Sequence, residues 1–165
     1  MFVTFSSVVP LRDVPAGSFI YFHEGEGAPL LCFVGFQKGS ANSFDGAVLL
    51  KLPTTPDEQV RTTRVSGYPN ALAAIVDART AVDPATFSGS STQSINGTPA
   101  GHLIQSGGDL CIGLGGSDLH ADNYVRLSDG EFVYKGNLEN WISFRRWRLE
   151  IPAREGEVIY TSPYA

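Results

Sequence analysis

The sequence predicts an all-β protein made of two related units, and three observations carry that reading. Short runs rich in β-branched and aromatic residues recur along the chain, separated by clusters of Gly, Pro, Asn and Asp. The 18 glycines and 10 prolines disfavour helices and suit the corners between strands. The tripeptide Pro15-Ala16-Gly17 returns as Pro99-Ala100-Gly101, an offset of 84 that several other residues share.

Strand patterns fall, in order, at Phe2–Val9, Ser18–His23, Pro29–Phe36 and Asp45–Leu52. They continue at Tyr124–Leu127, Glu131–Tyr134, Trp141–Ile151 and Val158–Thr161. Asn70–Arg79 is rich in alanine, but ten residues make a marginal helix in water. At the offset of 84, Ala74 aligns with Val158 in a strand pattern, so Leu72–Asp77 is read as strand.

The repeat has internal detail. Asp45-Gly46 recurs as Asp129-Gly130, Lys51 as Lys135, Arg61 as Arg145 and Arg64 as Arg148, all at 84. Leu31-Cys32 instead matches Leu110-Cys111 at 79, so the spacing shifts and then recovers. Loops tolerate such length changes, whereas a strand slipped by one residue loses its buried face. The expected organisation is a first β unit over 1–80, an exposed Ser/Thr/Gly-rich joint over 81–94 and a second unit over 95–165. The two units are expected to share one core with pseudo-twofold symmetry, barrel- or sandwich-like.

Composition narrows the function. The chain has 165 residues, 42% hydrophobic and 18% charged, with a mean hydropathy of −0.03. A disordered polyelectrolyte is excluded. No run approaches about 18 consecutive apolar residues, so no membrane helix is expected. A net charge of −5 argues against nucleic acid, whose binders need a cationic face to release counterions. The N-terminus lacks a basic start with a long apolar core, which suggests a cytoplasmic chain or a mature secreted one whose leader was removed.

Four groups of residues are candidates for chemistry. Cys32 and Cys111 sit in apolar strand patterns and read first as small buried core residues, with a disulfide between them or a reactive thiol as alternatives. Asp118, His120 and Asp122 alternate along Asp118–Asp122, so an extended backbone puts two carboxylates and an imidazole on one face. That set could hold a divalent metal or transfer protons, and His23 and Glu24 of the first unit could join it. Trp141 and Trp147 share one face if Trp141–Ile151 is a single strand, and arginines stacked on such rings suit binding a sugar, a base or a peptide. The glycines of Gly113-Leu-Gly-Gly116 lack the Gly-Lys-Ser/Thr of a phosphate loop and any βαβ context, so no nucleotide cofactor is expected.

The function expected from these features is a non-catalytic binding or structural module. It recognises a protein surface or a carbohydrate through loops on the duplicated scaffold, self-association included. The rival is a metal-assisted hydrolase or isomerase using Asp118, His120 and Asp122.

Overall fold

The computed structural model describes residues 5–38, 46–90, 100–114, 123–134, 140–154 and 156–164. Among them the only helical pieces are three-residue 3₁₀ turns such as Leu11–Asp13, Val65–Gly67 and Pro84–Thr86. The all-β expectation holds, and Leu72–Val76 is strand, as its alignment with Val158 suggested.

Two six-stranded antiparallel sheets hold most of the described strands. The first contains β1 (Phe5–Pro10), β2 (Phe19–Phe22), β3 (Leu30–Gln37), β4 (Gly46–Lys51), β5 (Arg61–Arg64) and β6 (Leu72–Val76), in the order β1-β6-β2-β3-β4-β5. After β7 (Arg79–Val82) the second contains β8 (Phe87–Ser90), β9 (Leu103–Ser106), β10 (Asp109–Gly113), β11 (Asn123–Arg126), β12 (Phe132–Tyr134) and β13 (Trp141–Phe144). Its order, β8-β13-β9-β10-β11-β12, follows the same path. A third, three-stranded sheet pairs β7 with β14 (Trp147–Ile151) and β14 with β15 (Glu157–Thr161).

Registers of the two large sheets can be compared pair by pair. Ile20 faces Cys32 across β2–β3, and Ile104 faces Cys111 across β9–β10, the residues that the offsets of 84 and 79 align. Flanking hydrogen bonds repeat as well. Gly17 N–H donates to Val34 O at 2.7 Å and Val34 N–H to Ser18 O at 2.9 Å. In the second sheet Gly101 N–H donates to Gly113 O at 2.8 Å and Gly113 N–H to His102 O at 2.9 Å.

The second aligned block does not coincide in this way. Arg61 and Arg64 bound β5, the far edge of the first sheet, whereas Arg145 follows β13 and Arg148 lies in β14. Gly46 opens β4, but Gly130 lies in the turn between β11 and β12. Connections after the third strand of each sheet differ in length, so the residues in equal places no longer sit at one offset.

One further expectation is corrected. Trp141–Ile151 is two strands in different sheets, broken at the exposed Arg145-Arg146. Within the expected joint, residues 81–87 are half-buried or exposed, and Ala81 and Val82 pair with Arg148 and Trp147 while Phe87–Ser90 pairs with β13.

The principal core lies between the sheets. It joins Phe19, Phe33, Leu50 and Val76 of the first sheet, Leu103, Ile112 and Val125 of the second, and Trp147, Leu149 and Ile151 of the third. The first sheet also buries its opposite face: Ile20, Cys32, Val34 and Leu49 pack with Leu11 and Val65 of the 3₁₀ turns and with Val14 just after the first. A small cluster of Ile104, Cys111 and Tyr124 occupies the outer face of the second sheet.

Candidate functional site

A cleft of about 630 Å³ opens where the first sheet meets the hairpin tips of the second. One wall is Gly17–Phe19 entering β2, with the end of β6 and the link Asp77-Ala78 into β7. The facing wall is Gly108–Leu110 at the β9–β10 turn together with Leu127 and Ser128 after β11.

Glycine makes the close approach of these walls possible. A Cβ on Gly130, which has φ +72°, would lie 2.6 Å from Gly17 N and 2.7 Å from Val34 O. No side chain fits there, so only glycine lets the β11–β12 turn seat against the entrance to β2. Phe36 N–H, donating to Gly130 O at 2.7 Å, ties the same turn to β3.

Electrostatic ties stiffen both rims. Arg126 is hydrogen-bonded to Asp129 at 2.6 and 2.9 Å and to Glu131 at 3.0 Å, and it reaches Asp109 at 3.4 Å. The Arg126 guanidinium holds the Asp129 carboxyl below the usual carboxylate range, helped by the Glu131 amide. On the other rim Arg79 donates through Nε and an Nη to Glu150 at 3.2 and 3.1 Å. Glu150 is only 4% exposed, and Arg148 at 2.6 Å is the first cause of its lowered pKa, with Arg79 adding to it. Asp77, exposed in the link, makes no ion pair among the described residues. The cleft thus offers carboxylate acceptors, guanidinium and hydroxyl edges above an apolar floor of Phe19, Val76 and Leu110.

The same place in the second sheet is filled. Trp147 is 2% exposed, and its indole N–H donates to Gly101 O at 2.7 Å. The Tyr164 hydroxyl donates to Ala100 O, and its ring packs edge-on against His102 at 4.9 Å. Tyr160 packs on Trp147 at 5.0 Å and its hydroxyl donates to Pro53 O at 3.0 Å. Burial pushes the His102 imidazole down to about 4, with Arg145 adding to the effect.

The residues singled out by sequence are scattered by the fold. Trp147 is a core residue and presents no ring to a ligand, a correction that follows from its strand facing the shared core. Trp141 is partly buried against Ile104, Cys111 and Tyr124, in a different sheet. His23 turns its Nδ1 to Gly27 O at 2.9 Å in the β2–β3 turn, and Glu24 accepts from the Tyr68 hydroxyl at 2.6 Å. Asp118, His120 and Asp122 lie outside the described residues. Among the described residues no group of three His, Cys, Asp or Glu is placed to hold a metal ion. Cys32 and Cys111 are free and buried in separate clusters, and burial pushes each thiol up to about 12, which removes the thiolate a nucleophile needs.

Asp77, Arg79, Asp109 and Ser128 line the cleft without having stood out in the sequence. Their only local signals are the break between two short strands at Asp77-Ala78 and the turn Gly107-Gly108-Asp109. No described helix is long and apolar enough to cross a membrane. No family model, no curated protein and no solved structure matches this chain.

Proposed function

We propose that the chain is a non-catalytic binding module that takes a carbohydrate into the cleft between the β6–β7 link and the hairpin tips of the second sheet. The observation that carries this reading is the make-up of the cleft. Its volume of about 630 Å³ lies in the range of small-molecule sites. A sugar presents an apolar C–H face and a ring of hydroxyls, and the cleft presents the complement. Phe19, Val76 and Leu110 offer the apolar floor, while Asp77 and Asp109 accept and Arg79 donates at the rim.

The scaffold supports the same reading. We take the shared strand order, and the matching registers of β2–β3 and β9–β10, as the trace of a tandem duplication arranged as a pseudo-twofold sandwich. In that arrangement one entrance stays open for a ligand and the other is closed by aromatic residues.

A glycan array is the direct test, run with the wild type, Asp77→Ala and Asp109→Ala. Binding to a defined glycan that Asp77→Ala abolishes, with melting temperature unchanged, is the expected result. No bound glycan at any concentration tested would sink the carbohydrate reading. A protein-surface reading has one observation in its favour. Val8 and Leu72 are 61% and 63% exposed on one face of the edge pair β1–β6. Size-exclusion chromatography of Leu72→Lys beside the wild type tests it, and a wild-type dimer lost in the variant is the supporting outcome.

A further inference from the structure

The outer face of the first sheet holds a second, smaller pocket of about 160 Å³ that shares no residue with the cleft. One cross-strand row runs Ile20, Cys32, Lys51, Arg61 over β2, β3, β4 and β5, so these side chains stand on one face. Lys51 and Arg61 are direct partners across β4–β5. Like charges placed opposite one another destabilise a strand pair. Neither takes part in an ion pair among the described residues, although Arg126, Arg79, Arg146 and Arg154 all do.

The rest of the pocket narrows what could sit between the two cations. Cys32 and Leu49 are 2% and 3% exposed and form an apolar floor, with Phe22 beside them at 4%. Among the described residues Glu24 contributes the one carboxylate of the lining, and the Tyr68 hydroxyl already donates to it at 2.6 Å. Within the lining two cations face one carboxylate, and Glu58, outside the lining, is the other carboxylate that feels the charge of Lys51. Tyr68 is itself held in place by the edge-on packing of its ring on Phe22 at 5.0 Å. The space, about 160 Å³ and open to solvent on one side, has room for a carboxylate head and a short chain.

We propose that this pocket binds a small organic monoanion, a carboxylate with a short apolar tail. The head lies between Lys51 and Arg61, and the tail rests on Phe22, Cys32 and Leu49. Arg61 supplies a bidentate fork for the head and Lys51 a point charge. An apolar floor and a neighbouring Glu24 both disfavour a multiply charged, wholly polar ion such as phosphate. The site is independent of the carbohydrate reading, since it shares no residue with the cleft and lies on the opposite face of β2.

Calorimetric titration with sodium butyrate tests the proposal, with butyramide as the uncharged isostere and inorganic phosphate as the polar anion. Saturable butyrate binding with a Kd of about 1 mM or tighter is expected. Butyramide and phosphate should each bind at least about tenfold more weakly, for want of the charge-assisted head or the tail. Lys51→Gln and Arg61→Gln should each weaken butyrate by about tenfold, and the double change should abolish it. Melting temperatures without ligand should hold or rise in both variants, because the opposed charges are relieved. That separates a binding role from a structural one. Butyrate that does not saturate, phosphate that binds more tightly, or affinity unchanged in the double variant would each overturn the site.

Discussion

The entrances to β2 and β9 begin alike and end differently. Each opens on Pro-Ala-Gly, and each glycine donates its N–H to the neighbouring strand, Gly17 to Val34 and Gly101 to Gly113. Around Gly17 the neighbours are backbone: Asp129 Cα and Ser128 O lie 3.1 Å from where its Cβ would be. Around Gly101 they are side chains, Pro53 Cγ and Tyr164 Oη at 2.9 Å. One entrance therefore borders a polar cleft, and the other is closed by Trp147, Tyr160 and Tyr164. The difference arises from the path of the chain beyond each sheet. The last strands and Ser162–Tyr164 fold back over the second entrance, while the chain after β7 moves on to β8.

Removing the plug is the largest disturbance this comparison predicts. Trp147→Ala should lower unfolding free energy by about 4 kcal/mol in urea titration, from the lost ring and the orphaned Gly101 carbonyl. A loss under about 1 kcal/mol would mean that the aromatic cluster does not hold the second entrance closed.

Alanine at the glycines sharpens the contrast between backbone and side-chain neighbours. Gly130→Ala should cost about 3 kcal/mol, since its Cβ meets main-chain atoms at 2.6–2.7 Å that cannot swing aside. Gly101→Ala should cost about half as much, because the Tyr164 ring can move. Equal effects in thermal melts would contradict the distinction.

Acid should act on the plugged entrance first. The imidazole of His102 titrates near 4 when folded, below the 6.5 of the unfolded chain. Between these values the unfolded state takes up the proton first, so stability falls as pH drops from 6.5 towards 4. After a discount for partial exposure, the loss is about 2 kcal/mol. His102→Leu should flatten that part of the pH–stability curve, and a curve unchanged in the variant would contradict the assignment. The smallest effect belongs to the open side. Asp77→Ala should move stability by less than about 0.5 kcal/mol while removing glycan binding, as an exposed residue with no ion pair allows.

Much of the architecture was legible because local pattern and pairing agree. The runs of β2, β3, β4 and β6 alternate or bury continuously, and Pro-Ala-Gly with Leu-Cys marked the hairpins whose registers correspond. β5, Arg-Thr-Thr-Arg, escaped because an exposed edge strand needs no apolar face. The recovery of the offset at Arg61 and Arg145 was a coincidence of spacing, since the two arginines occupy unlike places. Trp141–Ile151 misled because alternation continues through Arg145-Arg146, where the backbone changes sheet. The cleft was not legible at all. Asp77, Asp109 and Ser128 are separated by tens of residues and meet only when the first sheet packs on the tips of the second.

The pairing of β7 with β14, and of β14 with β15, also sets the order in which the third sheet can be completed. β7 lies next to the first sheet in sequence, yet its ladder partner begins at Trp147. Until the last strands emerge, Arg79–Val82 waits with both edges bare, and bare strand edges are templates for pairing with another chain. The long loop that this contact closes makes it slow to form. Refolding should therefore show the two large sheets forming ahead of the third, with amides of Thr80 and Ala81 the last to gain protection from hydrogen exchange. A copy truncated before β14 should leave both edges of β7 unpaired instead of one, and it should aggregate more readily on refolding than the chain that carries β14.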